Sequence, residues 1–152
     1  MEYIDMHCDT LGAAIMQGKK TIERLSDTMI DIKRLEQSGV AAQFFAMFLP
    51  QQERDRSAYR HEAEPVPTMP ELLEKLYEIY QNTLEQCRET LAPAYNMADY
   101  RKNRSEGKIS AFLTIENAAV AEGDLTKIRQ FYEMGVRLVT LTWNDENSLG
   151  YP

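Results

Sequence analysis

Four short apolar runs, separated by segments with helical periodicity, leave few architectures open to this chain. The runs have the length of strands, and the one at 40–50, VAAQFFAMFLP, is almost uninterrupted until Pro50, which is typical of a parallel strand covered on both faces. The alternation β-α-β-α-β-α-β predicts parallel strands joined by right-handed helical crossovers, in an open doubly wound sheet or a barrel. The other three predicted strands are 4–11, 108–118 and 136–144.

Helical patterns fill the intervals. The segment 28–40 carries Ile32 and Leu35 at helical spacing before Gly39, and the longest helix is predicted from Pro70, with Cys87 on its apolar stripe as a core residue. The charged and proline-rich segment 51–67 is predicted to be an exposed loop that contributes nothing to the core. The helix that begins at Pro70 is predicted to span 70–91, and two further helices are predicted at 97–107 and 123–135.

Length, charge and cysteine content narrow the class of protein. The 152 residues, 43% of them hydrophobic, suit one domain or part of one, and we treat 1–152 as a single partial domain. A net charge of −7 argues against nucleic acid or an anionic membrane as the partner. Cys8 and Cys87 match no paired motif, and neither a signal peptide nor a transmembrane run is evident, so a cytoplasmic location is expected.

Polar side chains stand where two of the predicted strands end. In "IDMHCDTL", His7 and Asp9 are two residues apart and would project together, with Met6 and Cys8 on the other side. Glu116 closes the third predicted strand, and ligands bind at the carboxyl ends of parallel strands. One imidazole and two carboxylates form a plausible ligand set for a divalent metal, with Zn²⁺ favoured. Alternatively, the first pair simply hydrogen-bonds at a strand end and Glu116 caps a helix or forms a salt bridge.

Three segments together resemble the amino-terminal half of the membrane (renal) dipeptidase family, peptidase family M19. They are "IDMHCDT", "GVAAQFFAMFLP" and "GKISAFLTIENAAVAEGDLTKIRQFYEMGVRLVTLTWND". The resemblance implies the amino-terminal half of a (β/α)8 TIM-like barrel and a zinc-dependent dipeptidase, active on small dipeptides. It further implies that His7 and Asp9 bind one zinc and that Glu116, a catalytic residue, bridges it to a second, with a hydroxide held between the two ions as nucleophile.

The chain departs from the family pattern in two places. The family's second zinc needs two later histidines, and the only other histidine here is His61, in the charged segment where a solvated role is expected. Trp143 stands where some members have a substrate-contacting histidine, so it is a candidate substrate-binding residue. We therefore expect the 152-residue chain alone to be nearly inactive, and to self-associate or form a homodimer through apolar surface left uncovered.

Two other functions stay open at this point. The first is a metal-dependent amidohydrolase or lactonase on a related barrel, although such enzymes generally carry two histidines in the first-strand motif, where this chain has Asp9. The second is a non-catalytic, truncated fragment that needs a partner.

Overall fold

A computed structural model describes residues 2–60 and 64–152, and it alternates short helices with strands. His61 lies outside the described residues. The strands are β1 (Tyr3–Cys8), β2 (Val40–Phe48), β3 (Leu91–Pro93), β4 (Ile109–Glu116) and β5 (Val136–Thr140). The helices are α1 (Thr10–Met16), α2 (Ile32–Ser38), α3 (Glu53–Arg56), α4 (Met69–Gln86), α5 (Met97–Ser105) and α6 (Leu125–Glu133), with 3₁₀ turns at Ser57–Tyr59 and Ala118–Ala121.

Every pair of neighbouring strands in the sheet is parallel, which confirms the predicted α/β class. The order is β1-β2-β4-β3, and β5 also pairs with β4. Strand β2 pairs with one edge of β4. Strands β3 and β5 both pair with the other edge, β3 at the start of β4 and β5 at its end. The carboxyl ends of β1, β2, β4 and β5 therefore lie along one rim of the sheet.

Capping residues explain where α2 begins and ends and where α4 begins. The Asp31 side chain accepts a hydrogen bond from Arg34 N at the start of α2, and Gly39 ends that helix with a φ of 78°. Thr68 and Glu71 form a reciprocal capping box at the start of α4, with Pro70 in the first turn. Each of these signals is local, and the sequence therefore locates these helices well.

One face of the sheet packs against helices and forms the core. Phe45 of β2 is fully buried, and its ring lies 6.2 Å from that of Tyr80 in α4. The Tyr80 hydroxyl donates to the carbonyl oxygen of Ala111 in β4, at 3.1 Å. Cys87, just beyond α4, is buried as predicted. Helix α4 thus bridges β2 and β4, the two central strands.

The structure corrects several sequence-based expectations. The segment 51–67 is not a coreless loop: it contains α3 and a 3₁₀ turn, and Tyr59 is buried. The first predicted strand, 4–11, ends at Cys8, because helix α1, which was not predicted, begins at Thr10. Strand β3 was not predicted either, because three residues give too few positions for a periodic pattern. The fourth predicted strand, 136–144, ends at Thr140 as β5. Within the described part of the chain, no helix is both long and apolar enough to cross a membrane.

Candidate metal centre

An irregularity in β1 orients His7. Asp5 pairs with Gln43 and Cys8 with Phe45, so three steps along β1 oppose two steps along β2. This extra residue is a β-bulge, which turns the side chains that follow it relative to the rest of the strand. Cys8 therefore joins the helix-covered face that Phe45 occupies, and His7 projects on the opposite face.

The two-residue periodicity was only partly right here. His7 and Asp9 do project together, with His7 Nε2 3.3 Å from Asp9 Oδ2. Met6 and Cys8 do not share an environment, since Met6 is 54% exposed whereas Cys8 is buried. Asp9 lies beyond the strand, at the residue that precedes α1. The pairing of the two side chains therefore depends on the bulge and on the start of α1, and not on strand geometry alone.

Glu116 reaches the same point from the end of β4. Its Oε2 lies 3.3 Å from His7 Nε2, so one imidazole nitrogen contacts both carboxylates. The side chains of His7 and Asp9 are 45% and 56% exposed, whereas that of Glu116 is only 18% exposed. Burial raises the pKa of the Glu116 carboxyl, the Asp9 carboxylate raises it further, and His7 opposes both effects. A cation near Glu116 would therefore favour the charged form of its carboxylate, as His7 already does.

The donor atoms of these three residues suit a divalent metal ion. One ligand atom from each residue can be chosen so that all lie within 4.8 Å of one another. Four ligands at the usual bond lengths of a tetrahedral zinc site are separated by about 3.3 Å, which is the distance from His7 Nε2 to each carboxylate oxygen. Among residues 2–60 and 64–152, this is the one group of three or more potential ligands close enough to share an ion.

Asn117, which follows Glu116, was missed by the sequence analysis. It is buried and adopts a φ of 69°, a conformation that asparagine tolerates better than most residues. Its side-chain amide donates to Leu49 O at 2.9 Å, and its side-chain oxygen accepts from Asn147 at 3.1 Å. Asn117 therefore ties together the segments that follow β2, β4 and β5, which fixes the direction in which β4 delivers Glu116. An asparagine directly after a strand-end glutamate was the available signal.

Aromatic side chains flank the carboxylate. Phe48 is paired in register with Glu116, and its ring meets that of Trp143 edge-on, with the centroids 4.8 Å apart. Trp143 is 36% exposed and lies just after β5. His7 and Asp9 line a cleft of about 380 Å³ together with Thr28, Met29 and Ile30. Two of the three potential ligands thus border a cleft, and the third is paired with an aromatic residue.

The family model and the relatives that match this chain point to the same protein family. Residues 1–151 match the family model described as membrane dipeptidase (peptidase family M19). An uncharacterized dipeptidase of Schizosaccharomyces pombe is 30% identical over 131 residues, covering 77% of this chain and 28% of its own. Dipeptidase 3 of Rattus norvegicus is 30% identical over 127 residues, covering 84% of this chain and 21% of its own. The chain spans well under half the length of these relatives.

A solved structure shows the same fold. A metallo peptidase from Rhodobacter sphaeroides, liganded with a phosphinate mimic of the dipeptide L-Ala-D-Ala, superposes with a TM-score of 0.78 at 17% identity. The match covers 97% of this chain and 47% of that one. The parallel α/β arrangement described above therefore corresponds to part of a TIM-like barrel.

Proposed function

The chain belongs to the membrane dipeptidase family, and from that premise we propose that it serves in the metal-dependent hydrolysis of dipeptides. The observation that carries the proposal is the convergence of His7, Asp9 and Glu116 at the carboxyl ends of two parallel strands. Because the family is one of metallopeptidases, this convergence supports a role as metal ligand for each of the three residues. The family match does not support the amidohydrolase or lactonase alternative.

We assign Zn²⁺ to the centre on the chemistry of its ligands. An imidazole nitrogen combined with carboxylate oxygens is a donor set that zinc accepts, and the separations at His7 fit its bond lengths. Zinc supplies Lewis acidity and a nucleophile at neutral pH. The resemblance implies two zinc ions in a complete site, and the three residues described here account for the ligands of one.

We assign further roles to individual residues of the chain. Glu116 is the least exposed of the three, and its carboxylate would hold the metal ion from the end of β4. Phe48, which is paired in register with Glu116, and Trp143 offer an apolar corner where a side chain of a dipeptide can pack. Trp143 has one N–H donor and no acceptor, so it contributes contact area and orientation.

Zinc binding by the 152-residue chain tests the proposal. We expect at most one equivalent of Zn²⁺ to bind weakly in isothermal titration calorimetry, and His7→Ala to abolish that binding because His7 Nε2 is central to the cluster. The matched control is His61→Ala, which removes the only other histidine and is expected to leave binding unchanged. Equal zinc affinity in His7→Ala and in the unaltered chain would refute the metal centre.

We also propose that the isolated chain self-associates. On the sheet face opposite α4, Phe44 stacks on Phe112 with centroids 4.6 Å apart, and both rings are only half-buried. Ile4 and Met6, at the β1 edge of the sheet, are exposed. Exposed apolar surface and open strand edges both favour association. The expected result is a sedimentation coefficient that rises with protein concentration in analytical ultracentrifugation, whereas a monomer over a wide concentration range would contradict it.

A further inference from the structure

Tyr59 is a buried aromatic residue in the middle of a charged segment. It ends the 3₁₀ turn Ser57–Tyr59 and is only 4% exposed. Arg56 holds this segment in place: its Nε donates to Pro67 O at 2.8 Å, and its Nη1 donates to Pro50 O at 2.9 Å. One guanidinium therefore joins the two ends of the connection between β2 and α4, so the position of Tyr59 is set by the fold.

The phenol of Tyr59 lies on the first turn of α1. A Cβ atom built on Gly12 would lie 3.0 Å from Tyr59 Cε1 and 3.2 Å from its hydroxyl oxygen. A side chain at this position would push the ring by a few tenths of an ångström, so this close contact depends on glycine. Gly12 N donates to Asp9 O at 3.0 Å, and Asp9 is one of the three proposed ligands. The ring therefore packs against the turn that carries Asp9.

The Tyr59 hydroxyl is a neutral donor beside an acidic site. Burial raises the pKa of Tyr59 to about 12, and the carboxylates of Asp9 and Glu116 contribute to the increase. The other deeply buried tyrosine, Tyr80, donates its hydroxyl proton to a backbone carbonyl, but no described residue accepts a hydrogen bond from the Tyr59 hydroxyl. Its contact with Gly12 places this hydroxyl at the turn that Asp9 begins, on the side of the chain that carries the ligands.

We infer that Tyr59 is a positioning residue of the metal centre. Its ring packs against the turn that holds Asp9, and its hydroxyl donates a hydrogen bond to a carboxylate of the Asp9–Glu116 pair when those residues hold a metal ion. Hydrogen-bond donors of this kind orient ligating carboxylates, and their removal typically lowers metal affinity by about 10-fold to 100-fold. The inference rests on the proposed function, since it requires a metal at these residues.

The test is the zinc affinity of Tyr59→Phe, which removes the hydroxyl and keeps the ring. We expect Zn²⁺ to bind about 10-fold to 100-fold more weakly in competition with a chromophoric chelator, with no change in the melting temperature of the metal-free protein. We also expect the visible absorption band of bound Co²⁺ to shift, because it reports ligand geometry, which a role limited to packing would leave intact. Gly12→Ala is a second variant that displaces the phenol and is expected to weaken binding in the same way.

Two controls separate the possible failures. Tyr77→Phe removes a hydroxyl from a half-buried tyrosine in α4 and is expected to bind Zn²⁺ like the unaltered chain. If His7→Ala abolishes binding while Tyr59→Phe matches the unaltered chain in both affinity and Co²⁺ spectrum, the metal centre stands and the role of Tyr59 is refuted. If His7→Ala still binds Zn²⁺ normally, the proposed function itself fails.

Discussion

Dipeptide hydrolysis is expected to fall by about 100-fold to 1,000-fold when Glu116 is replaced by glutamine, because a correctly held metal ion contributes several kcal/mol to catalysis and about 1.4 kcal/mol corresponds to a tenfold change in rate. The amide is nearly isosteric with the carboxylate, but it carries no negative charge and accepts no proton. Because the Glu116 side chain is largely buried and lies 3.3 Å from His7 Nε2, solvent cannot readily replace the lost charge. The variant should therefore fold normally and fail as a catalyst.

The measurement is hydrolysis of L-Ala-L-Ala by zinc-loaded protein, using the 152-residue chain and the product of its gene. The chain alone is expected to show negligible turnover, since its described residues supply one cluster of ligands, so the comparison of variants relies on the gene product. Glu133→Gln is the matched control, because Glu133 is an exposed glutamate at the end of α6. Equal activity of Glu116→Gln and Glu133→Gln would remove Glu116 from the mechanism.

Truncation of Phe45 to alanine is expected to destabilise the chain by about 3–5 kcal/mol, the usual cost of removing a buried phenylalanine ring. Phe45 is fully buried, and its ring meets that of Tyr80 at a 55° tilt. A typical domain has a free energy of unfolding of only about 5–15 kcal/mol. This single substitution should therefore remove a large fraction of the stability.

Urea unfolding followed by circular dichroism measures the effect. The neighbouring Phe44 provides a matched control, because it is the same residue type on the same strand but points to the opposite, half-exposed face. Phe44→Ala is expected to cost clearly less than Phe45→Ala, since a half-exposed ring loses less buried area. Equal losses would mean that the helix-covered face of the sheet is not the core of this chain.

The approximate position of the candidate site could be predicted from the sequence. Parallel strands are indicated by apolar runs that alternate with helical patterns, and the carboxyl ends of such strands share one rim. Placing His7, Asp9 and Glu116 at that rim required only their positions after predicted strands. Their convergence is confirmed by the structure, whereas their role as zinc ligands stays a prediction. Cys87 in the core was equally predictable, because helical periodicity is a local property.

The detailed geometry of the site depends on contacts between segments that are distant in the sequence. The bulge that turns His7 towards Glu116 exists only when β1 pairs with β2, and Asn117 adopts its positive φ among the segments that follow three different strands. Tyr59 is buried because Gly12, far away in the chain, leaves room for its ring. A short window of sequence determines periodicity and capping, since the interacting groups lie within a few residues of one another. Strand register, and the burial of an aromatic residue within a charged segment, depend on which surfaces meet after folding, so only the tertiary structure determines them.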